Sequence, residues 1–392
     1  MGAQTLSALI KEIDMLKEVA GVFFKLGLVA FGGPAAHIAM MEEEVVSKRK
    51  WMSREHFLDL VGATNLIPGP NSTEMAIHCG FHRAGWLGLI AAGVCFIFPA
   101  VTLTGLLAYF YVEYGHLPNI EPFFYGIRPA VLAIIISAIF KLGKKALKSW
   151  ELGVIGFVVM LSVLMGVSEV VSILGGGLLG MVWLNTKKGK DKSLIFLPMS
   201  LKKLPLMTIA SSSALGITFS FSQLFLSFLK IGCVLFGSGY VLIAYLEGEF
   251  VNRLGWLTQS QLLDAVAIGQ FTPGPVLSTA TFIGYQIQGI QGAALATLGI
   301  FLPSFLFVAL LNPIIPKLRK SKWASQFLDA VNISAVGIMG AVVAQLGTAS
   351  ITNWKPMVIA VASIITVFIY KKVNAAWIVL GGSLVGYILA FI

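Results

Sequence analysis

Uninterrupted apolar runs dominate this chain, and none alternates with the period of two that a membrane β-strand shows. The longest, "LGLIAAGVCFIFPAVTLTGLLAYFYV", covers 87–112. Others cover 126–142, 152–168, 171–186, 292–312, 326–346, 355–370 and 373–392. Runs of this length suit helices crossing about 30 Å of hydrocarbon. The pattern predicts an all-α polytopic membrane protein.

Two short stretches break the pattern. "LIPGPNSTE" at 66–74 and "FTPGPVLST" at 271–279 each set a Pro-Gly-Pro triplet inside apolar surroundings. They belong to a longer repeat. Residues 25–70 match residues 230–275 without a gap at 17 of 46 positions, including Lys25/Lys230, Phe31-Gly32/Phe236-Gly237, Glu42/Glu247, Trp51/Trp256 and Asp59/Asp264. After one deletion the match resumes at Gly80/Gly284, Gly85/Gly289 and Pro99/Pro303. The chain reads as a duplication: a first repeat at 1–185, a Lys-rich linker at 186–204 and a second repeat at 205–392.

Composition agrees with a bilayer environment. Hydrophobic residues make up 57% and charged residues 12%, with a mean hydropathy of +0.86; soluble domains carry roughly a quarter charged residues. The first 20 residues mix Glu12, Asp14, Glu18, Lys11 and Lys17 with apolar positions at helical spacing, as in an interfacial amphipathic helix. Cys79, Cys95 and Cys233 lack metal-ligand spacing and read as packing thiols.

The net charge of +10 changes the picture through its distribution, which speaks for orientation and against nucleic acid. Lys and Arg collect on the cytoplasmic side of membranes. In the first repeat the loop at 113–125 has no Lys or Arg, while 141–148 carries Lys141, Lys144, Lys145 and Lys148. In the second repeat 313–325 carries Lys317, Arg319, Lys320 and Lys322, and 345–354 has none. Equivalent loops thus face opposite sides, and the repeats are expected to be inverted. A cytoplasmic N-terminus then leaves Arg128, Arg253 and Lys355 outside and Lys25 and Lys230 within the membrane. Each repeat is expected to hold two re-entrant broken-helix hairpins, then about four transmembrane helices, with one further crossing near 205–222.

Breaks at membrane depth need a cavity or protein to satisfy the backbone. Gly permits unusual backbone angles, and Pro suits the first turn of a new helix. Each break leaves a helix N-terminus with free N–H groups and partial positive charge, a ready anion site. The candidate anion ligands are therefore Gly32, Gly33, Pro34 and His37 at the first break, and Pro68, Gly69, Pro70, Asn71, Ser72 and Thr73 at the second. In the second repeat they are Gly237, Ser238 and Gly239, then Thr272, Pro273, Gly274, Pro275 and Ser278. Lys25 and Lys230, each six residues before a break, would add full positive charge on opposite sides of one site; snorkelling to the interface is the bland alternative. Ser53 and Thr258 read as N-caps, the latter with Gln261 at capping-box spacing. Glu74, His37, Glu42 and Glu247 are candidates for proton coupling. No nucleotide loop, metal cluster or nucleophilic triad accompanies these features, so enzyme chemistry has no sequence support and no cofactor is expected.

The pattern of Phe31-Gly32-Gly33-Pro34, His37, Trp51, Asp59, Pro68-Gly69-Pro70, Arg83, Gly85 and Pro99, repeated in large part in the second half, resembles the chromate ion transporter family in its long, two-repeat form. That resemblance implies an inner-membrane secondary transporter of chromate, a tetrahedral dianion like sulfate, working as an exporter. It marks Gly32, Gly33, Pro34, His37, Pro68, Gly69, Pro70 and Gly85, and Gly237, Pro273, Gly274, Pro275 and Gly289. The second repeat departs at Ser238-Gly239, where the first has Gly33-Pro34. Alternatives are uptake or exchange of sulfate or another oxyanion, and a passive anion channel. Expected partners are the oxyanion, protons and the bilayer, with a homodimer as the candidate assembly.

The orientation argument predicts an asymmetry in labelling. In a cysteine-free background, cysteines placed in 141–148 will be protected from an impermeant external thiol reagent, and those in 345–350 will react. Equal labelling of both would contradict inverted repeats.

Overall fold

The computed structural model describes residues 2–31, 33–115, 117, 120–188, 220–237, 239–311, 321–370 and 373–390. The linker at 186–204 and the crossing near 205–222 fall almost wholly outside them. Among the described residues every regular element is helical. In the first repeat, α1 (Gly2–Val29), α2 (Pro34–Glu42), a π-helical turn (Glu43–Lys48) and α3 (Arg54–Thr64) precede α4 (Asn71–Tyr114), α5 (Glu121–Ala146), α6 (Trp150–Leu164) and α7 (Glu169–Lys188). In the second, α8 (Phe221–Val234), α9 (Leu242–Leu246), a π-helical turn (Glu247–Arg253) and α10 (Gln259–Phe271) precede α11 (Thr279–Leu311), α12 (Lys322–Ser350), α13 (Trp354–Ile369) and α14 (Ala375–Ala390). Among the described residues, five segments are long and apolar enough to cross a membrane: α4, α5, the Glu169–Thr186 part of α7, Val276–Leu310 and the Lys322–Thr348 part of α12. The chain is an all-α polytopic membrane protein.

Gly and Pro place the breaks where the sequence analysis expects them. Gly33 (φ 81°) ends the first, with Pro34 at the start of α2. Gly69 (φ 141°), Gly237 (φ 101°) and Gly274 (φ 86°) hold the left-handed angles at the other three. Ser53 accepts from His56 N–H at 3.2 Å, and Thr258 and Gln261 form a full capping box. Both readings of these caps hold.

α4 and α11 are each two helices. Ala84-Gly85 and Gln288-Gly289 leave helical geometry, with φ 58° and φ 60° at the glycines. Beyond each bend the chain doubles back, for a Cβ on Gly80 would overlap the Gly88 carbonyl, and one on Gly284 the Gly292 carbonyl. Residues eight apart in a straight helix are about 12 Å distant, so only a reversal brings them together. Glycine at both positions lets the two limbs touch backbone to backbone.

The repeats interlock. α5 packs against α13 and α14 of the second repeat, and α12 packs reciprocally against α6 and α7 of the first. Small residues make these approaches possible, as is usual where lipid supplies no hydrophobic drive between helices. Gly126 of α5 lies against Gly382 and Gly386 of α14, and Gly337 of α12 lies against Gly156 of α6. At the breaks the exchange is made by the backbone itself: Gly69 N–H donates to Leu235 C=O at 2.7 Å, and Gly274 N–H donates to Ala30 C=O at 2.8 Å. These are equivalent residues of the two repeats, each satisfying the other's broken chain.

A third tie is ionic and has no counterpart in the sequence pattern. Arg128 of α5 makes a bidentate pair with Asp264 of α10, Nε–Oδ1 3.0 Å and Nη2–Oδ2 2.9 Å, and the Tyr111 hydroxyl donates to the same carboxylate at 2.9 Å. Asp264 is fully buried and the Arg128 side chain is 29% exposed. Removing one partner of such a pair leaves the other charge uncompensated, at a cost of about 3 kcal/mol. Arg128→Leu will therefore lower the unfolding midpoint in detergent by several degrees, and adding Asp264→Leu will recover most of the loss. A double variant no more stable than Arg128→Leu alone would show that the pair is not a closed unit.

Candidate functional site

Between the repeats lies a cavity of about 410 Å³. Its wall joins the first break of one repeat to the second break of the other: Ala30, Phe31, Gly33 and His37 face Gly269, Gln270, Thr272, Gly274 and Val276. The Gly274–Ala30 hydrogen bond therefore closes its floor. α5 contributes Ser137, Ala138 and Lys141, and the start of α14 contributes Asn374, Ala375 and Ile378. The volume suits a small ligand.

Several polar groups of this wall lack full hydrogen-bond partners. His37 is buried, its ring close to the Ala30 carbonyl but with neither nitrogen in full hydrogen-bond geometry, and it stands edge-on to Phe96, centroids 5.8 Å apart. Gln270 Nε2 is buried and unpartnered. Thr272 donates to Gly269 C=O at 3.0 Å and lies 3.3 Å from the Ser278 hydroxyl. Two helical starts border the space, α2 at Pro34 and the turn at Val276–Ser278 that leads into α11. Donor groups that lack partners, facing an enclosed space at helix starts, can accept an anion.

The other two breaks are differently placed. Gly69 and Pro70 are buried, and the Glu74 carboxylate lies so close to Gly69 that a Cβ there would overlap it. Glu74 is fully buried and both its oxygens lack partners, as do the hydroxyls of Thr73 and Ser304 beside it. Thus the first repeat's own acidic residue fills the space that its second break would offer an anion. Asn71 donates to Asn65 at 2.6 Å, and Ser72 is buried. Gly239 packs toward Val276, and Gly237 toward Asn332. Pro68, Pro273 and Pro275 shape the triplets. Gly32 and Ser238 lie outside the described residues.

The two lysines are not brought to the cavity. Lys25, with its side chain 62% exposed, is 3.5 Å from Glu44, and Lys230 pairs with Glu249. Glu44 also pairs with Lys48 and Arg49, and Glu249 with Arg253 and Ser227. These equivalent clusters fasten the π-helical turns at the hairpin ends. Burial there opposes charge on Glu249, but hydrogen bonds from Arg253, Lys230 and Ser227 win and hold its carboxyl below the usual range. Of the remaining carboxylates, Glu42 pairs with Arg54 at 2.8 Å, and buried Glu247 accepts from Gln259 at 3.4 Å. Sequence reasoning passed over Gln270, Ser137 and Asn374, whose residue types are unremarked in apolar or loop segments until the fold gathers them. Lys141 was read only as a loop charge.

The comparisons agree with this architecture. The profile of the chromate transporter family matches the chain twice, at residues 17–181 and 222–387. A probable chromate transport protein of Synechococcus elongatus is 32% identical, the alignment covering 91% of this chain and 96% of that protein. A chromate transport protein of Cupriavidus metallidurans is 30% identical over 95% of this chain and 93% of its own length. An uncharacterized transporter of Bacillus subtilis, 28% identical, covers 36% of this chain and 74% of itself, a match to less than one half. No solved structure matches significantly. A double family match, on a helical scaffold with paired backbone breaks, places the chain in the chromate transporter family, whose members are transport proteins and not enzymes.

Proposed function

We propose that this protein is a secondary active transporter of chromate and related tetrahedral oxyanions, exporting them across the cell membrane with proton coupling. The observation that carries the reading is the cavity between the Phe31–Pro34 break and the Thr272–Pro275 break. A dianion leaving water has a large desolvation cost, and a helix end contributes only about 0.3–2 kcal/mol toward it. Several donors must therefore converge, and the cavity supplies the His37 ring, the Gln270 amide and the Thr272 hydroxyl, the last by turning from the Gly269 carbonyl, beside two helical starts. Gly33 and Gly274 let backbone approach the anion closely. Pro34 and Pro275 start the helices, and Ser278 supports Thr272.

The repeats, on this reading, are inverted about an axis in the membrane plane, the arrangement in which discontinuous helices meet at a central site. The reciprocal Gly69–Leu235 and Gly274–Ala30 bonds support a two-fold relation, because equivalent residues exchange equivalent contacts, and the opposite loop charges of the repeats argue for an axis in the membrane plane. Glu74 and His37 are the groups we assign to proton coupling. Both are buried, Glu74 with neither oxygen partnered and His37 with only the Ala30 carbonyl close by, where any change of protonation is felt strongly. Glu74 lies beside the break that is closed and His37 beside the break that is open, so the two could report on opposite halves of a cycle.

Purified protein in proteoliposomes tests this directly. Chromate flux will respond to an imposed proton gradient, and a large excess of sulfate will slow it, because helix ends and hydroxyls read shape and charge and not the central atom. Flux indifferent to the gradient would point to a passive channel. Chromate flux unaffected by sulfate would contradict a generic oxyanion site.

A further inference from the structure

Among the described residues that line the cavity, Lys141 is the one Lys, Arg, Asp or Glu side chain. It follows Ser137 by one helical turn on α5, so both project from the same face. Its side chain is exposed, and no ion-pair partner accompanies it among the described residues. Lys25 and Lys230 differ, each facing a carboxylate.

The second repeat shows what stands at the equivalent place. "KLG" at 141–143 corresponds to "QLG" at 345–347, a register fixed by the next helix, whose N-cap and first residue are Ser149-Trp150 in one repeat and Asn353-Trp354 in the other. Lys141 is thus matched by Gln345. The last helices align through "LGGGLLG" at 174–180 and "LGGSLVG" at 380–386. Ala375, which lines the cavity, is matched by Glu169, and each is the first residue of its helix.

The fold brings these counterparts together, as it does Lys141 and Ala375. The Gln345 amide faces the buried Glu247 carboxylate, with its nitrogen 2.9 and 3.0 Å from the two oxygens when oriented to donate. The Glu169 carboxylate packs against Gly248, the neighbour of Glu247. Glu249, next along, is neutralised by Lys230 and Arg253. Where the described cavity has Lys141 of the first repeat and Ala375 of the second, the pseudo-symmetric place has Gln345 of the second and Glu169 of the first, beside Glu247, whose own counterpart Glu42 is neutralised by Arg54.

We infer that this exchange makes the two faces of the transporter electrostatically unequal. Lys141 captures the dianion on the face into which the present cavity opens, and the wall of Gln345, Glu169 and Glu247 weakens its hold when the opposite face is open. The inference rests on the oxyanion reading above. Opposite charge near a binding site raises capture and affinity, and like charge lowers both. Such an asymmetry does no work by itself, which the coupled gradient must supply, but it sets a low KM on the loading side and a high one on the releasing side. By the distribution of Lys and Arg, the loading side is cytoplasmic.

The test measures chromate transport by the full-length protein in inside-out and right-side-out membrane vesicles, fitting an apparent KM for each face. The wild type will show the lower KM at the cytoplasmic face. Lys141→Gln will raise that KM about tenfold, the loss of one charge-assisted contact, with little change at the opposite face. Lys141→Arg, which keeps the charge, will stay near the wild type. Gln345→Lys with Glu169→Ala will lower the KM at the opposite face. Wild-type transport with equal KM values that Lys141→Gln leaves unchanged would overturn this inference and leave the oxyanion reading standing. Absence of chromate transport by the wild type would overturn both.

Discussion

Two backbone hydrogen bonds carry the architecture: Gly69 N–H to Leu235 C=O and Gly274 N–H to Ala30 C=O. A chain broken at membrane depth exposes polar groups that lipid cannot satisfy, each at a cost of several kcal/mol. Here each repeat's second break is satisfied by the chain just before the other's first break. Neither repeat can therefore hold its breaks alone in this geometry, and the reciprocal packing of α5 and α12 follows from the same exchange. The glycines at these points are required twice over, by their positive φ and by the closeness of the partner chain. A Cβ on Gly274 would sit 3.0 Å from Ala100 Cβ and 3.2 Å from the Gly27 carbonyl.

The same constraint creates the site. Donating Gly274 N–H to Ala30 pulls the Thr272–Pro275 break against the Phe31–Pro34 break, and the space left between them is lined by both. Symmetry would offer a second such place at Gly69 and Leu235, yet there the Glu74 carboxylate and Ser304 crowd the glycine. One half is open and the other filled by the protein's own anion-like group.

Much of this was legible in the chain itself, because its punctuation is local. Gly33-Pro34 and the two Pro-Gly-Pro triplets mark breaks by residue type alone, and Ser53 and Thr258 mark helix starts by a cap three residues from its donor. The apolar runs fix helix positions without reference to anything distant. What stayed hidden depends on partners far along the chain. Arg128 reads as an external loop charge until α10 brings Asp264 to it across 136 positions. Lys25 and Lys230 read as free intramembrane cations because Glu44 and Glu249, nineteen residues on, return to them only through the hairpin. Glu74 has Ser278 or Thr279 at its match in the second repeat, but the consequence of that difference, a filled break opposite an open one, is a property of packing.

The most direct measurement is the position of a bound tetrahedral dianion. Selenate, located by its anomalous scattering in crystals of the protein, will lie in the cavity between Gly33 and Gly274, within hydrogen-bonding reach of His37, Gln270 or Thr272. Selenate bound instead at the Lys25–Glu44 or Lys230–Glu249 clusters, with the cavity empty, would contradict the assignment of the paired breaks as the transport site.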